Sequence, residues 1–292
     1  DENLWQNTLL FFLTDNGGSK AMEANNGSLR GFKGSLYEGG IRTPWIMSWP
    51  EKFKGGRIIK TPVSSIDILP TVIDAIDTKV PEGTKFDGKS ILPLVTGQSD
   101  SHHTNMFWNS GPPKREWAVR QGNWKVHGSG EKYNLFNLVV DPSETKDLTA
   151  ENPEKASELF GLHKKWLKTM VQSAGTKKSS QPSADEAKDK KNPREIKREQ
   201  KREERRKMRK KQKSKTPAKT PNILFVVCDD LNTHVTPSGY RWIQTPALDD
   251  LAADSMTFSR AYCQYPVCGP SRASFLSGLY PETTGVLNNT SD

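Results

Sequence analysis

NTLLFFLTDNGG at residues 7–18 and NILFVVCDD at residues 222–230 are the two stretches of sequence that decide the fold of this chain. Each begins as a continuous apolar, β-prone run, which is the pattern of a strand buried on both faces of a sheet. Each run ends in acidic or amide residues at the carboxyl end of the strand, where the ligand sites of α/β proteins gather. We therefore predict an α/β fold in which both runs are central strands of one sheet, with their carboxyl ends close together.

Shorter patterns predict the other elements of this α/β fold. Apolar residues at helical spacing indicate helices, and alternation of apolar and polar residues indicates strands. The predicted helices span 65–76, 153–171 (ending near Gly175) and 245–256, and the predicted strands span 41–49, 117–126, 132–138 and 258–262.

The net charge of +9 is concentrated in one segment. Residues 176–220 contain nineteen Lys or Arg and seven Asp or Glu, and they have almost no apolar side chains with which to form a core. Such a segment could bind nucleic-acid phosphates, but it contains no aromatic residue on which bases could stack. A solvated, flexible linker is the favoured interpretation, and no nucleic-acid partner is predicted.

Other features of the composition limit the class of protein. No apolar run is long enough to span a bilayer, so no membrane partner is predicted. The three cysteines, Cys228, Cys263 and Cys268, do not form a disulfide framework, and Cys263 is predicted to be a packed core thiol. The sequence opens without Met or a signal-peptide pattern, and we expect it to begin within a longer protein.

The stretch CGPSRASFLSG at residues 268–278 carries the strongest chemical signal. A purely structural interpretation would make Cys268 a small packed residue and Arg272 a surface charge. The spacing of cysteine, proline and arginine instead resembles the signature of the sulfatase family. In that family an oxidase, the formylglycine-generating enzyme, converts the cysteine to formylglycine, and the hydrated aldehyde attacks sulfur. The resemblance implies that Cys268 and Arg272 are catalytic and that this oxidase is a partner.

The acidic pair that ends the second run is a weak signal by itself, since such pairs often cap a following helix. Carboxylates are also the hard oxygen ligands that Ca²⁺ or Mg²⁺ prefers. In the resembled family two consecutive acids after the first strand bind this cation, together with the formylglycine. The resemblance therefore implies that Asp229, Asp230 and the residue derived from Cys268 are metal ligands.

The first run ends in Asp15 and Asn16, which precede two glycines and are also typical of a simple turn. The following stretch, GFKGSLYEGGIRTP at residues 31–44, resembles the next block of the sulfatase family, in which a lysine reaches the sulfate. The resemblance implies that Asp15 and Asn16 complete the oxygen shell of the cation. It implies that Lys33 binds the sulfate as a compact positive charge.

The order of these blocks is unusual. Residues 1–175 resemble the C-terminal part of a sulfatase domain, whereas residues 221–292 resemble the N-terminal part of an iduronate-sulfatase-like one. The middle part of the family, with its active-site histidines, has no match, and none of the five histidines is assigned to catalysis. We expect this chain to be part of a longer tandem protein in which residues 176–220 link two domains. A circular permutant is disfavoured because permutation would not delete the middle part.

The fold implied by the resemblance is alkaline-phosphatase-like, with a central mixed or mostly parallel sheet flanked by helices. It includes a small C-terminal antiparallel sheet, and here it would be present as incomplete pieces. The implied activity is hydrolysis of sulfate esters, of sulfated carbohydrates or aryl sulfates, with Ca²⁺ or Mg²⁺, in the periplasm or outside the cell. Two alternatives stay open: a phosphate or phosphonate monoester hydrolase of the same superfamily, and an inactive fragment with a binding or scaffold role.

Overall fold

Strand β1 (Thr8–Thr14) lies inside a six-stranded sheet and is buried along its whole length. Leu9, Phe11 and Leu13 face one apolar core, while Leu10 and Phe12 face another on the opposite side. This alternation explains why the run is continuously apolar, because both faces of the strand are covered.

The computed structural model describes residues 2–111, 115–175 and 220–290. The predicted linker at 176–220 lies outside the described residues, apart from Thr220. The described residues up to Gly175 and from Pro221 onward form one compact unit. The helices are α1 Glu2–Gln6, α2 Glu38–Ile41, α3 Ile68–Ala75, α4 Leu92–Val95, α5 Pro153–Gly175, α6 Pro246–Ala253, α7 Cys268–Ser277 and α8 Pro281–Thr284. The other strands are β2 Arg42–Ser48, β3 Arg57–Ile59, β4 Val63–Ser64, β5 Asn105–Asn109, β6 Glu116–Gln121, β7 Trp124–Ser129, β8 Lys132–Asn137, β9 Asn222–Cys228 and β10 Met256–Tyr262.

The large sheet is mixed, with the strand order β3-β10-β2-β1-β9, and β4 also pairs with β10. Strand β1 is parallel to β9 and antiparallel to β2, and β10 is antiparallel to β2. The pairing of β1 with β9 is continuous from Thr8 opposite Asn222 to Thr14 opposite Cys228. The prediction that the two apolar runs lie in one sheet is therefore confirmed.

The prediction that the second run is a central strand is wrong. Strand β9 is at an edge of the sheet among the described residues, and the side chains of Ile223, Leu224 and Val226 are exposed. The apolar composition of β9 is typical of a strand that is covered on both faces. Within residues 2–111, 115–175 and 220–290, however, β9 pairs with β1 alone.

The second sheet contains four antiparallel strands in the order β5-β6-β7-β8. Helix α5 packs against it through Ala156 and Leu159, which contact a cluster that includes Trp117 and Val126. The stretch 117–126, predicted as one strand, is two strands joined by a two-residue turn. Gly122 has φ 57° in this turn, a conformation that glycine adopts without steric cost.

The two sheets are joined through Trp108, which makes a hydrogen bond and a ring contact. Trp108 of β5 donates its indole N–H to the carbonyl oxygen of Cys263 at 2.9 Å, directly after β10. Trp108 also packs edge-on against Tyr262, with 5.5 Å between ring centroids. Cys263 is fully buried, as predicted for a core thiol. In the described part of the chain, no helix combines the length and the apolar character that crossing a membrane would require.

Helix α5 carries a buried histidine whose ring is held neutral. The imidazole of His163 stacks on Trp117 with 4.3 Å between centroids, and neither ring nitrogen has a hydrogen-bond partner among the described residues. Burial, with a smaller contribution from the charge of Lys164, lowers the pKa of His163 from 6.5 to about 4. The folded state thus disfavours protonation of this ring relative to the unfolded state.

We predict that His163→Phe makes stability less dependent on pH. Because folding lowers the pKa of His163, the unfolded chain binds a proton on this ring at a higher pH than the folded chain does. The free energy of unfolding therefore decreases as pH falls from 6.5 to about 4. Phenylalanine keeps the stack on Trp117 but cannot be protonated. Urea unfolding at several pH values should show that the variant loses about 2–3 kcal/mol less than wild type over this interval. An equal decrease in the free energy of unfolding of both proteins would contradict the lowered pKa of His163.

Candidate active site

The in-register pairing of β1 and β9 brings the two acidic turns together at the carboxyl ends of these strands. Because Thr14 lies opposite Cys228, Asp15 and Asp229 leave the sheet side by side. The hydroxyl of Thr14 donates to the carbonyl oxygen of Cys228 at 3.0 Å and accepts the N–H of Leu231 at 3.1 Å. Thr14 therefore fixes both turns, a role that sequence analysis missed. The available signal was a polar residue at the end of an otherwise apolar run.

The backbone of Asp230 is in the left-handed conformation, with φ 55°. Such a conformation is uncommon for a residue other than glycine, and it is concentrated at functional sites. It allows the N–H of Asp230 to point to Asp15 Oδ1, at 3.4 Å, while its carboxylate contacts Lys33. The two acids of the pair thus face the same centre from different directions.

Four residues predicted from the sequence meet in what we call the acidic cluster: Asp15, Asp229, Asp230 and Cys268. One ligand atom from each lies within 4.8 Å of those of the others. Two carboxylates that share one Ca²⁺ ion have ligand oxygens about 5 Å apart or less, and the atoms of Asp15 and Asp229 meet this limit. The side chain of Asp15 is fully buried, whereas that of Asp229 is 65% exposed. The cluster therefore has a closed inner side and an open outer side.

Two cations border the acidic cluster. Lys33 Nζ lies 2.6 Å from Asp230 Oδ1 and 2.9 Å from Cys268 Sγ. Arg272 Nη2 lies 2.9 Å from Asp15 Oδ2 and 3.3 Å from Asp229 Oδ1. Three carboxylates against two cations leave a negative excess, and this charge favours binding of a further cation.

The same contacts change the pKa values of the reactive groups. Burial lowers the pKa of Lys33, but its contacts with Asp230 and Cys268 outweigh this effect and raise the pKa above its ordinary value. Burial raises the pKa of the Cys268 thiol, and nearby Asp15 raises it further, although Lys33 acts in the opposite direction. Lys33 is thus a permanent positive charge, and unmodified Cys268 is a protonated thiol at neutral pH, which makes it a weak nucleophile.

The residues present fit a hard divalent cation. Asn16 donates its amide N–H to Asp230 Oδ1 at 2.7 Å and to the carbonyl oxygen of Gly17 at 2.9 Å. Its Oδ1 is buried and has no hydrogen-bond partner within the described residues. An unsatisfied buried oxygen is costly, and a bound cation would satisfy it. Together with three carboxylates, this oxygen makes the donor set that Ca²⁺ or Mg²⁺ prefers.

Lys33 is positioned by backbone contacts on both sides. Its N–H donates to the carbonyl oxygen of Gly18 at 3.0 Å, and the N–H of Gly34 donates to that of Pro266 at 2.7 Å. The loop thus touches the turn after β1 and the segment before Cys268. Gly17 donates to the carbonyl oxygen of Gly40 at 3.0 Å, which holds the same turn against α2.

Helix α2, which follows this loop, is anchored by a buried ionic network. Lys125 Nζ lies 3.1 Å from Glu38 Oε1 and 2.8 Å from Glu144 Oε1, and all three side chains are buried. The hydroxyl of Tyr262 donates to Glu38 Oε2 at 2.9 Å. Sequence analysis missed this network. Its signal was Lys125, a charged residue at a buried position of an alternating strand.

Comparisons with known proteins match two parts of this chain to one family. The family model described as N-sulphoglucosamine sulphohydrolase, C-terminal, matches residues 31–172, and the model described as Sulfatase matches residues 221–292. Human arylsulfatase D is 30% identical over 192 residues, which are 52% of this chain and 32% of that protein. Human steryl-sulfatase is 34% identical over 227 residues, which are 63% of this chain and 37% of that protein.

The solved structures agree with these matches. The crystal structure of Ps i-CgsB has a TM-score of 0.52 and 30% sequence identity, and the match covers 56% of this chain and 37% of that one. The large mixed sheet and the small antiparallel sheet have the alkaline-phosphatase-like arrangement of sulfatases. The chain belongs to the sulfatase family. It spans about a third of the length of the curated relatives it matches.

We predict that Gly17→Ala destabilises the fold at this site. A Cβ atom at Gly17 would lie 2.0 Å from the carbonyl oxygen of Gly39, a backbone atom that cannot move aside without shifting α2. Urea unfolding should show a loss of about 1–3 kcal/mol. Gly161→Ala is the matched control, because nothing lies within 4 Å of its Cβ position in α5. The control should be stabilised by up to about 1 kcal/mol. Equal effects of the two substitutions would contradict the packing argument.

Proposed function

We propose that the acidic cluster is the catalytic centre of a sulfatase that hydrolyses sulfate esters of carbohydrates or aryl sulfates. One observation carries the proposal: Cys268, three carboxylates and Lys33 converge on one point from two segments, residues 15–33 and 229–268, that are distant in the sequence. A structural role would not require a cysteine between a lysine and an aspartate at the open edge of a sheet. The domain boundaries 1–175, 176–220 and 221–292 remain predictions, as does the tandem arrangement.

Each residue has a distinct role in this proposal. Asp15, Asn16, Asp229 and Asp230 would hold Ca²⁺ or Mg²⁺, which when bound supplies Lewis-acid polarisation at the reacting centre. Cys268 would be the precursor of formylglycine, because its own thiol is protonated and weakly nucleophilic. Arg272 orients the buried carboxylate of Asp15 through two contacts at 2.9 Å. Lys33, within 2.9 Å of Cys268 Sγ, would bind a sulfate oxygen and stabilise negative charge as it develops.

The relatives support the substrate class. Their names include arylsulfatase and steryl-sulfatase, and Ps i-CgsB has been crystallised in complex with k-i-k-neocarrahexaose. We infer that the substrate of this chain is a sulfated carbohydrate or an aryl sulfate, and that the chain acts in the periplasm or outside the cell. The formylglycine-generating enzyme is the inferred partner, since it would recognise the segment that begins at Cys268 before the chain folds.

We predict that Cys268 is converted to formylglycine when the chain is produced with the formylglycine-generating enzyme. Mass spectrometry of the peptide containing residue 268 should show the mass decrease that accompanies replacement of CH₂SH by CHO. Cys263 lies five residues earlier and lacks the following proline and arginine, so it serves as the internal control and should stay unmodified. An unmodified thiol at residue 268 in a host with the active oxidase would contradict this prediction.

We predict that the converted chain, supplied with Ca²⁺, releases sulfate from an aryl sulfate such as 4-nitrophenyl sulfate. Cys268→Ala should abolish the activity, and Lys33→Gln should lower kcat by about 10²–10³-fold because a charge at the developing anion is lost. Lys20→Gln is the control, since Lys20 is exposed on a separate turn. Absence of hydrolysis by the converted chain would overturn the proposal for this chain. Faster cleavage of 4-nitrophenyl phosphate would favour the phosphate hydrolase alternative.

A further inference from the structure

A second cluster of metal-ligating side chains lies outside the acidic cluster and shares no residue with it. It consists of Asp67, His102 and His103, which we call the histidine cluster. The Nε2 atom of His102 lies 3.0 Å from Asp67 Oδ2, and that of His103 lies 2.8 Å from Asp67 Oδ1. One ligand atom from each of the three residues lies within 4.8 Å of the others.

The carboxylate of Asp67 is held in the way that metal-binding carboxylates are held. The backbone N–H of Ser64 donates to Oδ2 at 2.8 Å, and that of Lys89 donates to Oδ1 at 2.9 Å. A carboxylate offers about four lone pairs, so one on each oxygen is occupied and the remaining ones face the two imidazoles. Hydrogen bonds of this kind fix the orientation of metal ligands in proteins.

No lysine or arginine side chain forms an ion pair with Asp67 in the described part of the chain. Its side chain is fully buried, and its ion-pair contacts are the two imidazoles of His102 and His103. Lys89 directs its Nζ to the carbonyl oxygen of His102 instead, at 3.4 Å. A buried carboxylate is costly to remove from water, and a bound divalent cation would offset that cost.

The surroundings of the histidine cluster add negative charge. Burial raises the pKa of Tyr280, and the charges of Asp87 and Asp67 raise it further, so these two acids act on one neighbourhood. The side chains of His102 and His103 are 5% and 7% exposed, which places them at the edge of the interior. The imidazole rings are 4.5 Å apart at an interplanar angle of 75°, which lets both Nε2 atoms face Asp67. The cluster is therefore acidic, ordered and close to solvent.

We propose that Asp67, His102 and His103 form a second metal site, which binds Zn²⁺. Two imidazole nitrogens and one carboxylate oxygen are ligands that Zn²⁺ takes at about 2.0–2.2 Å, with a fourth position left for water. Ca²⁺ prefers an all-oxygen shell, as the acidic cluster offers, so the two sites differ in selectivity. This site does not depend on the proposed sulfatase activity.

Zinc at this position would brace the segment that precedes Cys268. The turn Ser65–Asp67 receives the N–H of Gln264 on Ser65 Oγ at 3.1 Å, and Ser64 Oγ lies 3.0 Å from Gln264 Oε1. A metal bound to Asp67 would join this turn to the segment before β5, which supplies the two histidines. The ion would thus stabilise the fold at a distance from the reacting atoms.

The test is Zn²⁺ binding by the metal-free chain in the presence of excess Ca²⁺, which occupies the acidic cluster. Isothermal titration and elemental analysis should give one Zn²⁺ per chain. His102→Gln and His103→Gln should each weaken Zn²⁺ binding by about tenfold or more, with circular dichroism and Ca²⁺ binding unchanged. His234→Gln is the matched control, because this ring stacks on Tyr240 and is outside both clusters, and it should bind Zn²⁺ as wild type does.

A second measurement uses the wild-type chain and therefore does not depend on whether the variants fold. In the wild-type chain, Zn²⁺ should protect residues 102 and 103, but not His234, from modification by diethyl pyrocarbonate, as read by mass spectrometry. No Zn²⁺ bound in excess Ca²⁺, equal binding by wild type and the folded His102→Gln and His103→Gln variants, or modification of residues 102 and 103 unchanged by Zn²⁺ would each overturn the proposal.

Discussion

The parallel, in-register pairing of β1 with β9 is the constraint on which the candidate site depends. Because this pairing ends with Thr14 opposite Cys228, the residues that follow each strand leave the sheet at the same level. Asp15 and Asp229 are therefore neighbours although 213 residues separate them in the sequence. A shift of the register by one residue would turn the side chains of β9 to the opposite faces of the sheet, and it would move the acidic pair away from Asp15.

Electrostatics then determine what the site can hold. The buried carboxylate of Asp15 is paired with Arg272, while Asp230 is paired with Lys33, and the side chain of Asp229 is mostly exposed. Removal of charges from water is costly unless each has a partner, so the two cations make the cluster possible without neutralising it. The features that favour a divalent cation are the remaining negative charge and the Asn16 oxygen, which has no hydrogen-bond partner in the described ranges.

Much of this arrangement could be predicted from the sequence, because apolar runs, acidic strand ends and the segment around Cys268 are local signals. Lys33 and Arg272, which the resemblance implied as site residues, contact Cys268 and Asp15 respectively. The edge position of β9 could not be predicted, since a single sequence shows the composition of a strand but not its neighbours. The Glu38–Lys125–Glu144 network and the Asp67–His102–His103 cluster were missed because each joins segments that are separated in the sequence and have no recognisable spacing.

The central claim is that two distant segments build one cation site, and Ca²⁺ binding to the purified chain tests it directly. Isothermal titration should show one Ca²⁺ per chain. Asp15→Asn, on one segment, and Asp229→Asn, on the other, should each weaken that same binding event strongly, because both carboxylates belong to one shell. Two binding events, of which each substitution removes one and leaves the other unchanged, would show two separate half-sites and contradict the account.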